Sequence, residues 1–291
     1  MMNPPWSVRV EDRAPLSLVS VVSGHAWVIR DDDVPVRLDA GSVAVMRGPD
    51  PYSFADDPAT PAQVVIHPGQ HCTTPDGQDL ALVMGLGVRS WGNSPAGSTS
   101  MLIGTYERHS EIGRQLLSVL PQLVVMPAGE WDSPLLAMLS REIVRDEPGQ
   151  EAVLDRLLDL LLVAVLRAWL SGHQAEAPGW YRAQGDPVVG RALRVLQGSP
   201  AQPWTVATLA RESGVSRATL ARRFAELVGE PPMAFLTAWR LTLAADLLRE
   251  PGATVSAVAE QVGYGSPFAL STAFKRARGV SPKEYRAAVT R

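Results

Sequence analysis

Two groups of side chains in this sequence could do chemistry, and they lie far apart along the chain. The first is His67, His71 and Cys72. Imidazole and thiolate are zinc ligands, but Pro68-Gly69 breaks any helix between them, so only a loop could converge them as a partial set. Cys72 is the one cysteine, which excludes an internal disulfide and a secreted cross-linked framework. Two readings of it stand. It is an inert thiol in a surface loop, or a redox sensor whose pKa is lowered by His71 and which oxidises to a sulfenic acid or an intersubunit disulfide. No nucleophile elbow, phosphate-binding glycine loop or kinase signature occurs, so no catalytic residue, metal or cofactor is expected and the chain does not read as an enzyme.

The second group lies near the carboxyl end: Arg217, Ala218, Ala221 and Arg222, then Phe268, Ser271, Thr272 and Lys275. An arginine bordered by alanines can enter a major groove and fork onto guanine O6 and N7. A lysine nearby neutralises a phosphate, and an aromatic ring meets a thymine methyl or is a partly buried core residue.

An internal repeat must position these side chains. At an offset of 50, Ser216 aligns with Ser266, Leu220 with Leu270, Phe224 with Phe274, Gly229 with Gly279, Pro232 with Pro282 and Phe235 with Tyr285. Upstream, at an offset of 49, Ala210 and Gly214 match Ala259 and Gly263. Each copy reads as a helix-turn-helix. Alanine on the first helix admits close packing, glycine makes the turn, serine caps the second helix, and Leu and Phe four apart anchor it. At 100° per residue, Ala218, Arg222 and Ala225 lie opposite the buried stripe, flanked by Ala221; in the second copy Phe268, Thr272 and Lys275 do, flanked by Ser271. Between the copies, Met233 to Arg249 is a helical run with Leu236, Trp239, Leu243 and Leu247 on a common side. Such a connector predicts two recognition helices in successive major-groove segments about 34 Å apart.

Charge is divided accordingly. Residues 1–181 hold 12 Lys and Arg against 22 Asp and Glu, a balance of -10, whereas residues 182–291 hold 15 against 8, a balance of +7. A basic third on an acidic body points to a polyanionic partner. At 46% hydrophobic and 20% charged residues, the 291-residue chain matches globular proteins of two domains. The apolar run Val153 to Leu170 contains Asp155, Arg156, Asp159 and Arg167, so no membrane partner is expected. Met1 to Val10 has neither a basic start nor an apolar block, which predicts a cytoplasmic location.

Leu16–Val22, Ala26–Ile29, Val34–Leu38 and Ser42–Met46 read as strands, with Tyr52–Ala55, Gln63–His67 and Met101–Tyr106 as further ones, and predict a small antiparallel barrel or jelly roll. Thr73 to Gly77 reads as a polar loop. Near Glu111 the period lengthens: Ile112, Leu116 and Leu120, then Leu135, Leu136, Leu139 and Ile143 after a capping Ser133 and Pro134, then Val153, Leu157, Leu160, Leu161 and Ala164. These helices cover the barrel, and part of them is expected to pair two subunits.

The stretch from Trp204 to Arg286 carries a family resemblance. Arg240, Ala244 and Leu248 on the connector, Val258-Ala259, Gly263-Tyr264, Phe274-Lys275 and the closing run Gly279 to Arg286 resemble the DNA-binding domain of AraC/XylS-type regulators. Gly24 to Trp27, Val36 to Gly41 and Arg47 to Tyr52 are similar to the cupin-type sensory domain of one branch of that family. The resemblance departs at Thr272, where members commonly carry arginine. Tyr52 stands where the second cupin motif would supply a histidine, which leaves too few ligands for an open metal site.

The resemblance implies an α+β protein of two domains. A cupin-like barrel at 1–110 would precede a helical cover and dimerisation region at 111–172, a linker at 173–183 and a DNA-binding domain at 184–291 whose two helix-turn-helix units share a long helix. It also implies a bacterial one-component transcription regulator, a homodimer on double-stranded DNA, with a small-molecule effector or redox signal at the amino-terminal domain and RNA polymerase as a candidate partner. Two alternatives stand beside it: a metal-dependent cupin enzyme with a DNA-binding appendage, and a structural DNA-binding dimer that senses nothing.

Overall fold

The computed structural model describes residues 1–87, 90–106, 117, 119–129, 133–143, 145, 147–173 and 177–289, and these fall into two compact units, one of residues 1–106 and 120–173 and the other of residues 177–289 with 117 and 119. The first is rich in strands: β1 Ser7–Val10, β2 Leu16–Ser23, β3 His25–Arg30, β4 Val36–Asp39, β5 Val43–Arg47, β6 Tyr52–Ala55, β7 Val64–His67, β8 His71–Thr73, β9 Gly85–Gly87, β10 Ser90–Trp91, β11 Ser100–Tyr106 and β12 Leu123–Met126. They form a six-stranded sheet in the order β4-β3-β6-β1-β7-β8, a four-stranded sheet β11-β2-β5-β12 and the hairpin β9-β10.

The two larger sheets enclose one core. Val8, Val10, Val28 and Phe54 of one join Val19, Val21, Ala44 and Met46 of the other around a fully buried Trp6. Because strand side chains alternate, Leu16 and Leu18 face away from that core, yet they too are buried. Two helices, α1 Pro134–Glu142 and α2 Gln150–Gly172, follow the strands. On β11, Gly104 pairs with Leu18, and a Cβ placed on Gly104 would lie 3.4 Å from the Leu158 side chain of α2, so this helix lies against that outer face.

Several expectations need correction here. β1 was not expected, yet it lies inside the larger sheet, antiparallel to β6 and parallel to β7. Thr73 belongs to β8 rather than to a loop, and β12 follows Pro121 where a helical period had been expected. Ser133 stands at the α1 N-cap, but its side chain makes no capping hydrogen bond. Along α2 the buried stripe is Leu154, Leu157, Leu161, Val165 and Trp169, while Val153 and Leu160 are 44% and 54% exposed. Ile112 and Leu116 lie outside the described residues. Among the described residues no helix is long and apolar enough to cross a membrane.

The second unit is helical: α3 Gly179–Arg182, α4 Val189–Gly198, α5 Val206–Glu212, α6 Arg217–Val228, α7 Pro232–Leu247, α8 Val255–Val262, α9 Pro267–Arg278 and α10 Pro282–Val289. It holds two cores. Leu193, Leu196, Leu209, Leu220, Phe224 and Phe235 fill the first, and Leu241, Ala244, Val258, Val262, Leu270 and Phe274 fill the second. The connector α7 serves both, with Phe235 and Leu236 in one and Leu241, Ala244 and Ala245 in the other. Its buried surface is therefore not one stripe, and Leu243 and Leu247, expected beside Leu236, are half-buried at the second core.

Candidate nucleic-acid interface

The second helices of the two helix-turn-helix units are α6 and α9, and both are framed by local bonds that the sequence dictates. Ser216 Oγ accepts the Thr219 N–H at 3.2 Å, and Ser266 Oγ accepts the Ala269 N–H at 3.1 Å. Each satisfies a donor that a helix start leaves free. Both helices stop at a left-handed glycine, Gly229 at φ 94° and Gly279 at φ 77°. Leu220 and Phe224, like Leu270 and Phe274, are fully buried, which fixes the rotation of each helix about its axis.

That rotation turns the expected contact residues outward. Arg217, Ala218 and Arg222 are exposed on α6, with Ala221 half-buried at their flank. On α9, Phe268, Thr272 and Lys275 are exposed and Ser271 is half-buried. Phe268 is 81% exposed, so the reading of it as a partly buried core residue is set aside. Ser271 Oγ donates to the Pro267 carbonyl at 2.8 Å, which commits its proton within the helix.

Three arginines nearby have different employments. Arg222 donates through Nη1 to Glu226 Oε1 at 2.9 Å and Oε2 at 3.1 Å, an exposed pair one turn apart. Arg223 instead reaches Asp186 Oδ2 from Nε at 3.0 Å and Nη2 at 2.6 Å. The other oxygen of Asp186 accepts the Val188 and Val189 N–H groups at 3.0 and 2.9 Å. Although desolvation pushes the Asp186 carboxyl up, these N–H groups and Arg223 together hold it below its ordinary range. Arg240 on α7 donates to the Pro200 carbonyl at 2.7 Å and the Gln202 carbonyl at 2.8 Å. The same loop lies against the turn of the second unit: a Cβ on Gly263, at φ 82°, would sit 2.6 Å from Ala201 Cα. The connector and the turn of the second helix-turn-helix are thus both tied to the loop that leads toward the first.

Sequence reasoning missed the Arg223–Asp186 lock and the Arg240 bonds, whose partners are 37 to 40 residues away. Asp186, between Gly185 and Pro187, carried a turn signal that marks the start of α4.

The histidine and cysteine group does not converge. In the β7–β8 pair Ile66 lies opposite Cys72 and His67 opposite His71, so strand alternation sends Cys72 toward the barrel core and both imidazoles to the other face. His67 Nε2 lies 2.9 Å from Thr73 Oγ1, and His71 Nε2 lies 2.9 Å from Asp79 Oδ2. Burial, with Asp79 adding to it, raises the Cys72 pKa, opposite to the lowering expected from His71. Among the described residues no group of three metal-ligating side chains comes together.

Comparison with known proteins agrees with this division of the chain. Residues 1–171 match the family model described as cupin, and residues 209–288 match one described as a helix-turn-helix domain. An AraC-like transcription regulator of Streptomyces lividans is 33% identical over 97% of this chain and 90% of its own length. One of Streptomyces antibioticus is 35% identical, again over 97% and 90%. The transcriptional regulator MtrA of Neisseria gonorrhoeae is 28% identical over 98% of this chain and 91% of its own. These relatives are transcription regulators rather than enzymes. With a cupin region ahead of two capped helix-turn-helix units on one connector, the chain belongs to the AraC family of DNA-binding transcription regulators.

Proposed function

We propose that α6 is the principal reader of base sequence and α9 the principal holder of the phosphate backbone. The observation that carries this is the outward face of α6, where Arg222 projects between small Ala218 and Ala221 from a helix whose rotation is fixed by Leu220 and Phe224. A long donor fork on a low-relief helix face reaches base edges without steric conflict. In this reading the exposed Phe268 on α9 makes an apolar contact such as that with a thymine methyl, and the exposed Arg217 and Lys275 meet phosphate. Binding of the parent and of Arg222→Ala to a library of randomised duplexes tests the reading. Loss of preference at one or two base pairs supports it, and an unchanged preference overturns it.

The first unit has two roles in this reading. It senses a small molecule, for which it contains a cavity of about 990 Å³ bordered by β11 and α2. It also pairs two copies of the chain. Val153, Leu160 and Val163 form an exposed apolar stripe on α2 at spacings of seven and three, 44%, 54% and 51% exposed, which is the a/d pattern of a helix that meets another helix. Leu160→Glu is expected to convert a dimer to monomer in sedimentation equilibrium, and an unchanged mass would place the pairing elsewhere.

A further inference from the structure

An arginine that forks onto a base edge needs its helix held to within about 0.5 Å of the productive position. Leu220 and Phe224 decide which side of α6 faces inward, but apolar contact is non-directional and does not fix the helix that closely. Directional contacts come from one stretch of chain, residues 177–190, and they meet α6 at two places. At its carboxyl end, Gly179 of α3 lies so close that a Cβ there would sit 2.6 Å from the Val228 carbonyl oxygen and 2.9 Å from that of Leu227. Only a residue without a side chain admits this approach. In its middle, Arg223 lies about 100° around the helix from Arg222 and donates to Asp186 from Nε at 3.0 Å and Nη2 at 2.6 Å. Positions 223 and 228 are about 7.5 Å apart along the axis, so the two contacts together resist both rotation and tilt.

The stretch that makes these contacts is itself held. Ala177 and Ala183 are buried, and Trp180 packs against the core that also contains Leu220 and Phe224. Asp186 Oδ1 accepts the Val188 and Val189 N–H groups at the start of α4, and a Cβ on Gly190 would collide with the Gln184 carbonyl. In the second helix-turn-helix Ala273 stands in the place of Arg223, so the ionic contact has no counterpart on α9.

We infer that residues 177–190 form a brace that positions α6 for base reading, with Gly179 and Asp186 as its positioning residues. This rests on the reading of α6 proposed above. Neither residue has to touch DNA: Gly179 acts through the Val228 backbone and Asp186 through Arg223, and both act on Arg222 through the pose of the helix. Lys275 belongs to another helix, so the brace bears on discrimination between duplexes rather than on the charge that holds any duplex.

Affinities of the full-length protein for a preferred and a scrambled duplex, measured across a range of salt, test the inference. Gly179→Val sets a side chain against the Val228 carbonyl. Gly185→Ala, in the same stretch, adds a Cβ with nothing within 4 Å of it and is the control. Arg223→Met removes the ion pair and leaves Asp186 to cap α4. Thermal unfolding first establishes that each variant is folded, and Arg223→Met carries the test should Gly179→Val not fold. Gly179→Val is expected to narrow the ratio of preferred to scrambled affinity about tenfold, within the worth of one arginine–guanine contact, and Arg223→Met about threefold. The slope of log affinity against log salt should stay that of the parent in both, and Gly185→Ala should match the parent throughout. In an Arg222→Ala background neither substitution is expected to narrow the ratio further, because the brace acts through Arg222. An unchanged ratio in folded Gly179→Val, or a loss that adds in full to that of Arg222→Ala, overturns the brace. A salt slope flatter by about one unit in Arg223→Met would assign Arg223 to phosphate and overturn it as well. Failure of the α6 reading shows differently: Arg222→Ala itself then leaves the preference unchanged, whereas failure of the brace alone leaves Arg222→Ala effective and Gly179→Val silent.

Discussion

The two helix-turn-helix units share a scaffold and differ in what it presents. Each recognition helix starts at a capping serine, stops at a left-handed glycine and buries a leucine and a phenylalanine four residues apart. Their outer faces share almost no chemistry. α6 presents Arg222 tethered to Glu226, with Ala225 and Val228 in its last turn, while α9 has Thr272 in the matching place and Lys275, Arg276 and Arg278 in its last turn. The cations on α9 complement the negative end of the helix dipole and add positive charge on the same helix. One scaffold therefore supports a face suited to discrimination and another suited to charge neutralisation, and the substitutions below separate the two.

The largest effects fall on what the units share. Phe224 and Phe274 are both fully buried, so truncation to alanine is expected to cost about 3–5 kcal/mol at either position in urea unfolding. Similar losses would confirm equivalent scaffolds. A cost below about 1 kcal/mol at one of them would mean that its core repacks, a behaviour associated with well-tolerated substitutions.

Next comes the division of labour on DNA. Arg222→Ala should lose about 1–3 kcal/mol on the preferred duplex and relax preference at one or two base pairs. Lys275→Ala should weaken all duplexes alike and flatten the slope of log affinity against log salt by about one unit. Thr272→Ala should change specificity less than either. If Thr272→Ala scrambles the preference and Arg222→Ala does not, the two helices exchange roles.

A third contrast concerns attachment. Arg223 on α6 is held by Asp186, whereas the matching position on α9 is Ala273, which cannot form this ionic anchor for the second helix-turn-helix. Asp186→Ala removes the acceptor for two α4 N–H groups and for Arg223, and should cost about 1–2 kcal/mol at neutral pH, the size of a lost helix cap. Because the carboxyl is held below its ordinary pKa in the folded state, its contribution is present above the unfolded value near 3.8 and is lost as pH falls through the folded one. The gap between parent and variant in unfolding curves should therefore be constant from pH 7 to about pH 5 and narrow as pH falls below the unfolded value near 3.8. A gap that does not narrow there would assign the effect to packing.

What the sequence made legible follows the range of the interactions. Ser216, Gly229, Leu220 and Phe224 act within a few residues of themselves, so the repeat, the caps and the outward positions of Arg222 and Thr272 could be read before any coordinates. The Arg223–Asp186 and Arg240–Pro200 bonds join segments 37 and 40 residues apart and leave no local pattern. In the barrel, β1 is four residues long and has Arg9 among its apolar residues, too short a run for alternation to stand out. The face taken by Cys72 depends on the parity of β8, which pairing with β7 decides and spacing from His71 does not. The α2 residues Val153 and Leu160 were legible as apolar but not as exposed, since a helix apolar on two sides conceals which side is covered.

The smallest effect sharpens the comparison most, because it tests whether the first helix-turn-helix is built to discriminate. Glu226 holds the Arg222 guanidinium through both carboxylate oxygens, and the residue in its place on α9 is Arg276. As an exposed pair four residues apart it is worth about 0.3–0.5 kcal/mol to the helix, so Glu226→Gln should barely move the unfolding midpoint. If Arg222 reads a base as proposed, the carboxylate has two consequences on DNA: it repels phosphate, and it makes Arg222 exchange one bidentate acceptor for another. A guanine edge offers two acceptors at that exchange, whereas other edges offer fewer and compete less well. Glu226→Gln should therefore raise affinity for every duplex, and raise it more for non-preferred ones, so that the ratio between preferred and random sequence narrows by about threefold, near 0.6 kcal/mol. Affinities on a preferred and a scrambled duplex at one fixed salt concentration measure this. A uniform rise in both would leave Glu226 with an electrostatic role alone, and a widened ratio would overturn the exchange.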